Sequence, residues 1–225
     1  MNSTMYSQIS SAWKFIEETS YDFDDALSTK IRQTAEHDAH ESGIISSSQA
    51  HFIRLQARLM HARTTLIIGV GSGMEIPALA DGMNHEGQIT VVTSSAQVSQ
   101  RTRDIFDAID ETSSTKLRCV NADAQVFLPR LNAHDYDMIL VSSLPHNYEA
   151  AVSDAQRLLR SGGILILTDV MALMSPDCKG GVPNAADRSE KAVTMRTIIK
   201  ELMESNAYDT SLISVGTGLL LAVTH

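Results

Sequence analysis

From residue 64 onward, short apolar segments rich in β-branched residues alternate with segments of helical pattern. The predicted strands are Thr65–Ile68, Gln88–Val92, Leu117–Val120, Tyr136–Val141 and Ile164–Leu167. The predicted helices between them are Gly73–Gly82, Gln97–Ile109, Ala124–Leu128 and Tyr148–Leu159. Nearly continuous apolar strands that alternate with helices predict a parallel sheet covered on both faces. Because ligands of such sheets bind beyond the carboxyl ends of the strands, the informative residues should directly follow these strands.

The segments on either side of this alternation complete one predicted domain, with residues 1–62 as a helical cover on an α/β core of residues 63–225. The cover contains a helix over Asp22–His40, ended by Glu41-Ser42-Gly43, and a second helix capped by Ser47 or Ser48. The apolar face predicted for that second helix is Phe52, Ile53, Leu55, Leu59 and Met60. The segments predicted after the fifth strand are a loop over Met171–Arg188, a helix over Ser189–Ser205, and a closing hairpin of Leu212–Val215 and Leu219–Val223.

The composition excludes several classes of partner. A net charge of −9 argues against nucleic acid or an anionic membrane. Two cysteines do not make a disulfide framework, which predicts a reducing, cytoplasmic location. The segment Met1–Ser11 has neither the basic start nor the apolar core of a signal peptide, and no apolar run approaches the length of about 18 residues that a membrane span needs.

A glycine-rich loop, Gly69-Val70-Gly71-Ser72-Gly73, directly follows the first predicted strand and opens a helix. Glycines there let the backbone approach a ligand, and the helix N-terminus presents free N–H groups. The dinucleotide fingerprint has glycine at its first, third and sixth positions, whereas the sixth position here is Met74. The spacing favours the loop of S-adenosylmethionine (SAM) methyltransferases over an NAD(P) site, with a tight turn that binds nothing as the alternative.

Further segments follow in the order and spacing of one family. They are Glu41–Ser46, Gly69–Gly73, Asn121–Ala124, Leu128–Leu131, Tyr136–Ile139, Leu158–Gly163 and Val215–Leu221. Together they resemble the SAM-dependent O-methyltransferases of the catechol and caffeoyl-CoA type, in their bacterial branch, of which this chain is a divergent member. The resemblance implies a doubly wound, Rossmann-like class I methyltransferase fold, with N-terminal helices on a seven-stranded, mostly parallel sheet. It also implies SAM as cofactor, a small-molecule substrate and a homodimer. The cofactor-binding residues that it implies are Ser46, Gly69, Val70, Gly71, Gly73, Thr93, Ser94, Asp123, Ala124 and Ser142.

The chain departs from the family pattern around the cofactor. Ile67 stands two places before the first glycine, where the family usually has an acidic residue. Thr93 stands where the family usually has the acidic residue that accepts hydrogen bonds from both ribose hydroxyls. Losing the second should weaken cofactor binding by about 1–3 kcal/mol. Glu75 stands where a small polar residue usually faces the cofactor's carboxylate. It either points inward, where it would repel that carboxylate, or points to solvent and complements the helix N-terminus.

The catalytic end departs further. Ser142 stands where the family has a metal-binding aspartate after the fourth strand, and Pro145 stands where the family has a lysine three positions later. The family has an Asp-Asn pair of metal ligands after the fifth strand, whereas this chain has Asp169-Val170. Because only one of the three metal ligands remains, we predict no metal. His146 is either a metal-free general base or a surface histidine without a role, and the catalytic residues stay undetermined.

Two functions therefore remain open. One is metal-independent, SAM-dependent O-methyl transfer to a small molecule. The other is a catalytically degenerate protein that keeps the fold and acts by binding or dimerisation, since fold alone does not fix function.

Overall fold

The computed structural model describes residues 3–37, 45–109, 113–174 and 177–225. Seven strands form one sheet of order β3-β2-β1-β4-β5-β7-β6. The strands are β1 Thr64–Ile68, β2 Gln88–Thr93, β3 Lys116–Asn121, β4 Tyr136–Val141, β5 Leu159–Thr168, β6 Tyr208–Ile213 and β7 Leu219–Thr224. Neighbouring strands from β3 to β5 pair in parallel, and β7 pairs antiparallel with β5 and β6. The predicted seven-stranded, mostly parallel sheet is confirmed.

Helices cover both faces of the sheet. They are α1 Ser3–Tyr21, α2 Ala26–His37, α3 Ser47–Leu59, α4 Glu75–Gly82, α5 Ala96–Asp107, α6 Ala124–Phe127, α7 Pro145–Leu158 and α8 Glu190–Glu204. Alternate residues of the strands point to opposite faces, as the period of two requires. Leu66 and Ile68 belong to one buried cluster together with residues of α6–α8, and Ile67 belongs to a second together with residues of α3–α5.

The N-terminal cover differs from the sequence prediction. The helix α1 lies within the predicted helical cover, but its bounds were not predicted, and the helix expected from Asp22 begins at Ala26. The predicted stop at Glu41-Ser42-Gly43 lies outside the described residues. The cap of α3 is Ser46 rather than Ser47 or Ser48, because the Ser46 hydroxyl accepts from the Gln49 N–H in a complete capping box.

Two other predictions about elements were wrong in detail. Leu55 and Leu59 are 51% and 73% exposed, because the buried stripe of α3 runs instead through Ala50, Ile53 and Ala57. The first strand of the closing hairpin is β6 at Tyr208–Ile213, four residues earlier than predicted, because the turn to β7 takes up residues 214–218. No described helix combines the length and the hydropathy that a membrane span requires.

Candidate functional site

The glycine loop connects β1 to α4 at the carboxyl edge of the sheet. Gly69 has a φ of +69°, and its N–H donates to the Val92 carbonyl at 2.9 Å. A Cβ at Gly69 would overlap Asn147 Nδ2 and the Ser142 carbonyl oxygen. Glycine is therefore required there both by the backbone conformation and by the close approach of the segment that joins β4 to α7.

Glu75, the first residue of α4, points into the glycine loop. Its side chain is fully buried, with Oε1 accepting from the Gly71 N–H at 2.8 Å and Oε2 accepting from the Gly73 N–H at 2.9 Å. Arg101 of α5 donates from Nη2 to the Gly71 carbonyl at 2.9 Å and so holds the loop from the other side. Of the two orientations that the sequence left open, the structure has the inward one.

Burial raises the pKa of the Glu75 carboxyl above its usual value of 4.5. The N–H groups that donate to the carboxyl and the nearby Arg101 guanidinium oppose this rise. Because these N–H groups oppose the rise in the pKa, their hydrogen bonds to Glu75 are stronger when the carboxyl is ionised.

The ends of β2 and β3 meet beside the loop. Thr93 is buried, its hydroxyl accepts from the Ser95 N–H at 3.3 Å, and its carbonyl accepts from the Ala122 N–H at 3.0 Å. Asp123 caps α6 by accepting from the Gln125 N–H at 2.8 Å. Among the other predicted cofactor residues here, Ser94 is exposed, whereas Val70 and Ala124 are buried. The structure brings these strand ends together, and the residue at the end of β2 is Thr93, which carries a hydroxyl and no carboxylate.

Ser142 follows β4 and is fully buried. Its Oγ lies 3.1 Å from Thr168 Oγ1, which itself donates to the Val141 carbonyl at 3.0 Å. The Ser142 hydroxyl is therefore the donor in the first contact. Its carbonyl accepts from Asn147 Nδ2 at 3.1 Å, and its N–H donates to the Ile68 carbonyl at 3.0 Å, so that β1, β4 and β5 are connected at their carboxyl ends. Ser46 is removed from these contacts, since its hydroxyl lies 3.1 Å from Glu17 Oε1 in the N-terminal cover.

A buried ion pair lies beyond β5. Asp169 has a φ of +46°, and its Oδ2 is 2.6 Å from the Nζ of Lys191 in the first turn of α8. The two side chains are only 2% and 6% exposed. The ammonium also donates to the Ser143 carbonyl at 3.2 Å and lies 5.2 Å from the centre of the Tyr148 ring. The Tyr148 hydroxyl donates to the Thr168 carbonyl at 2.9 Å.

The surroundings of Lys191 keep it charged. Burial on its own would lower the pKa of the ammonium, but Tyr148 and Asp169 together raise it above its usual value of 10.5. Burial has the opposite effect on Tyr148, because it disfavours the phenolate and so raises the pKa of the hydroxyl, which stays neutral. Lys191 is therefore a fixed cation at neutral pH and not a proton acceptor.

The donor set at this edge does not fit a divalent cation. A hard cation needs several oxygen ligands, whereas Asp169 already has an ammonium at 2.6 Å and the neighbouring Val170 offers no side-chain oxygen. Within residues 3–37, 45–109, 113–174 and 177–225, no three His, Cys, Asp or Glu side chains are grouped so that they could hold a metal ion.

Lys191, Asn147 and Tyr148 were missed at the sequence level. The pattern held one usable signal, because Lys191 lies on the same helical stripe as the buried residues Met195 and Ile198. A lysine on a buried stripe needs a partner, but the sequence does not show that the partner is Asp169. His146, which is either a general base or a histidine without a role, lies in the first turn of α7 and is half-buried.

The strand order, the single antiparallel strand β7 and the glycine loop after β1 together define the Rossmann-like methyltransferase fold. A family model described as O-methyltransferase matches residues 17–225. The chain belongs to the O-methyltransferase family.

Individual proteins are similar to this chain in sequence or in fold. A Mycolicibacterium smegmatis protein that is named as an O-methyltransferase is 26% identical over 201 residues, which cover 89% of this chain and 91% of the relative. The solved structure of an O-methyltransferase from Bacillus cereus in complex with SAH has a TM-score of 0.78 at 18% identity and covers 96% and 99% of the two chains. The O-methyltransferase TomG from Streptomyces achromogenes, solved with SAM, has a TM-score of 0.74 at 20% identity and covers 89% and 90%.

Proposed function

We propose that the chain transfers a methyl group from SAM to an oxygen of a small molecule, and that it does so without a divalent cation. Membership of the O-methyltransferase family supports the reaction, and the complexes of the B. cereus and S. achromogenes proteins with SAH and SAM support the cofactor. The observation that carries metal independence is the ion pair of Lys191 and Asp169 at the carboxyl edge of the sheet.

In this mechanism the cofactor supplies an electrophilic methyl group on its sulfonium. The ends of β1, β2 and β3 fit the nucleoside part, with Thr93 beside the ribose and Asp123 on the adenine side. The amino-acid part fits less well, because Glu75 already accepts from the N–H groups of Gly71 and Gly73. Binding and orientation are the main contributions of the chain, as positioning accounts for much of the rate of such a transfer.

Lys191 and His146 have different roles in the proposed reaction. The Lys191 ammonium neutralises the buried Asp169 carboxylate, so that Asp169 does not repel a substrate oxygen anion beyond the end of β5. It stays protonated, so the proton of the substrate hydroxyl has to go to another group. His146 lies in the first turn of α7, close in sequence to the end of β4, and a neutral imidazole can act as the general base that accepts that proton.

A cleft between α1 and the β6–β7 turn offers room for the substrate. Its volume is about 270 Å³, and its lining includes Trp13, Glu17, Tyr21 and Thr217. The cleft borders the residues after β5, because the Met171 N–H donates to the Thr217 carbonyl at 3.2 Å. Aromatic walls with a few polar groups are typical of sites for small organic molecules.

Calorimetric titration with SAM in the presence of EDTA tests this function. We expect binding that neither EDTA nor added Mg²⁺ changes, followed by transfer of radiolabelled methyl to one or more members of a panel of phenols. The variant His146→Gln should lower the transfer rate by about 10²-fold or more at unchanged SAM affinity. Absence of binding at millimolar SAM, or a requirement for Mg²⁺, would overturn the proposal.

The second candidate is a degenerate member of the family that acts by binding or dimerisation, and the inward orientation of Glu75 favours it. Large apolar side chains, Trp13, Phe15, Ile16 and Phe23, are 50–69% exposed on the N-terminal cover. They are compatible with a homodimer through these helices, which light scattering on the wild type and on Phe15→Ser would test. The two cysteines are free, in keeping with the proposed cytoplasmic location.

A further inference from the structure

The glycine loop has the architecture of an anion site. Backbone N–H groups that converge in a turn just before a helix N-terminus attract negative charge, and the helix dipole adds to this attraction. In this chain the N–H groups of Gly71 and Gly73 both point at one carboxyl group, that of Glu75. The chain therefore fills its own anion site with a side chain.

Glu75 is held there by its surroundings. The side chain of Glu75 is fully buried, and its backbone is fixed because Glu75 is the first residue of α4. Arg101 fixes the Gly71 peptide from the opposite side. A ligand carboxylate that is to reach the same N–H groups has to displace the carboxyl of Glu75 into a region without water. A hydrogen bond between an N–H group and a carboxylate changes the affinity for a ligand by about 10–100-fold.

We propose that Glu75 competes with the carboxylate end of SAM for the N–H groups of the glycine loop, so that the pocket favours a sulfonium nucleoside without a carboxylate. This inference rests on the proposed function, since it concerns how the same pocket treats one end of the cofactor. Decarboxylated SAM is the matched probe, because it keeps the adenosine, the sulfonium and the ammonium and lacks only the carboxylate.

The first experiment compares the two ligands on the wild-type chain by calorimetry. We expect decarboxylated SAM to bind at least about tenfold more tightly than SAM. Equal affinities, or tighter binding of SAM, would overturn the inference while leaving the proposed function intact. Binding of decarboxylated SAM alone would support the inference and overturn the role of SAM as methyl donor.

The second experiment replaces the competing carboxyl. Glu75→Ser frees both loop N–H groups and leaves a hydroxyl that can donate to a ligand carboxylate. We expect SAM to bind at least about tenfold more tightly to this variant than to the wild type, with a change of less than about threefold for decarboxylated SAM. Glu190→Ser is the matched control, because Glu190 is also the first residue of a helix but is exposed; it should change neither affinity.

The variant also decides the case in which the wild type binds neither ligand. SAM binding gained by Glu75→Ser alone would then support the competition, and continued absence of binding would overturn it. If Glu75→Ser does not fold, the comparison of the two ligands on the wild type still decides.

Discussion

Replacing Lys191 with methionine removes an ammonium and keeps an unbranched apolar chain of similar length. In the wild type that ammonium lies 2.6 Å from Asp169 Oδ2 and 3.2 Å from the Ser143 carbonyl, and both ionic side chains are almost fully buried. The variant would leave the Asp169 carboxylate buried without its cation. Breaking a buried pair in this way lowers the free energy of unfolding by about 3–5 kcal/mol.

Urea unfolding followed by circular dichroism measures this loss. With a slope of about 2.5–3 kcal/mol per molar urea, the midpoint should fall on the order of 1–2 M at an unchanged slope. The double variant Asp169→Asn with Lys191→Met removes both charges and should recover all but about 2 kcal/mol of the loss. Lys200→Met, an exposed lysine on the same helix, should change the stability by less than about 0.5 kcal/mol.

The pH dependence provides an independent check. Because the pKa of Lys191 is raised in the folded state, its contribution is fully present below the usual value of 10.5 and is lost as the pH rises through the higher folded value. The stability difference between the wild type and Lys191→Met should therefore stay constant around neutral pH and shrink above pH 10.5. A loss of less than about 1 kcal/mol in Lys191→Met, or strict additivity in the double variant, would refute the buried ion pair.

Three further predictions concern single contacts. Thr93→Asp should tighten SAM binding by about 10–100-fold in calorimetry, because a carboxylate can accept from both ribose hydroxyls, and unchanged binding would place the ribose elsewhere. Tyr148→Phe loses the hydrogen bond to the Thr168 carbonyl and should lower the free energy of unfolding by about 1–2 kcal/mol. An unchanged urea midpoint would contradict this expectation. Ser189, together with the N–H groups of two loop residues, holds the pKa of Asp187 well below its usual value of 3.8, so this contribution is present above pH 3.8 and is lost in acid. Asp187→Asn should accordingly speed hydrogen exchange of residues 177–189 at pH 7. Exchange at the wild-type rate would contradict a stabilising role of the Asp187 carboxylate in this segment.

The order of elements was predictable from the sequence because buried parallel strands have a distinct pattern. β1, β2, β4 and the Ile164–Leu167 part of β5 are short runs rich in apolar and β-branched residues, separated by helical segments, and the glycine loop marks the first crossover. The bounds of α1 were not predicted because Trp13, Phe15 and Ile16 are exposed, so this part of the helix lacks the buried stripe that periodicity detects. The length of β6 was misjudged because only two of its six residues are apolar aliphatic.

The candidate site was predictable in its place but not in its contacts. The sequence gives the positions of Ser142 and Asp169, since both directly follow strands. It does not give the direction of Glu75, because a glutamate at a helix N-terminus is favourable both inward and outward. Nor does it pair Asp169 with Lys191, since a loop separates the two and only the packing of α8 on the sheet brings them together.

The position of β7 has a consequence for synthesis of the chain on the ribosome. β7 lies between β5 and β6 although it follows both in sequence, so the outer edge of Ile164–Thr168 has no partner until residues 219–224 have been translated. At about 5–20 residues per second, this edge stays open for several seconds. During that interval an apolar, unpaired strand edge is exposed to other nascent chains, and chaperones that cover such edges would have their longest access to this protein.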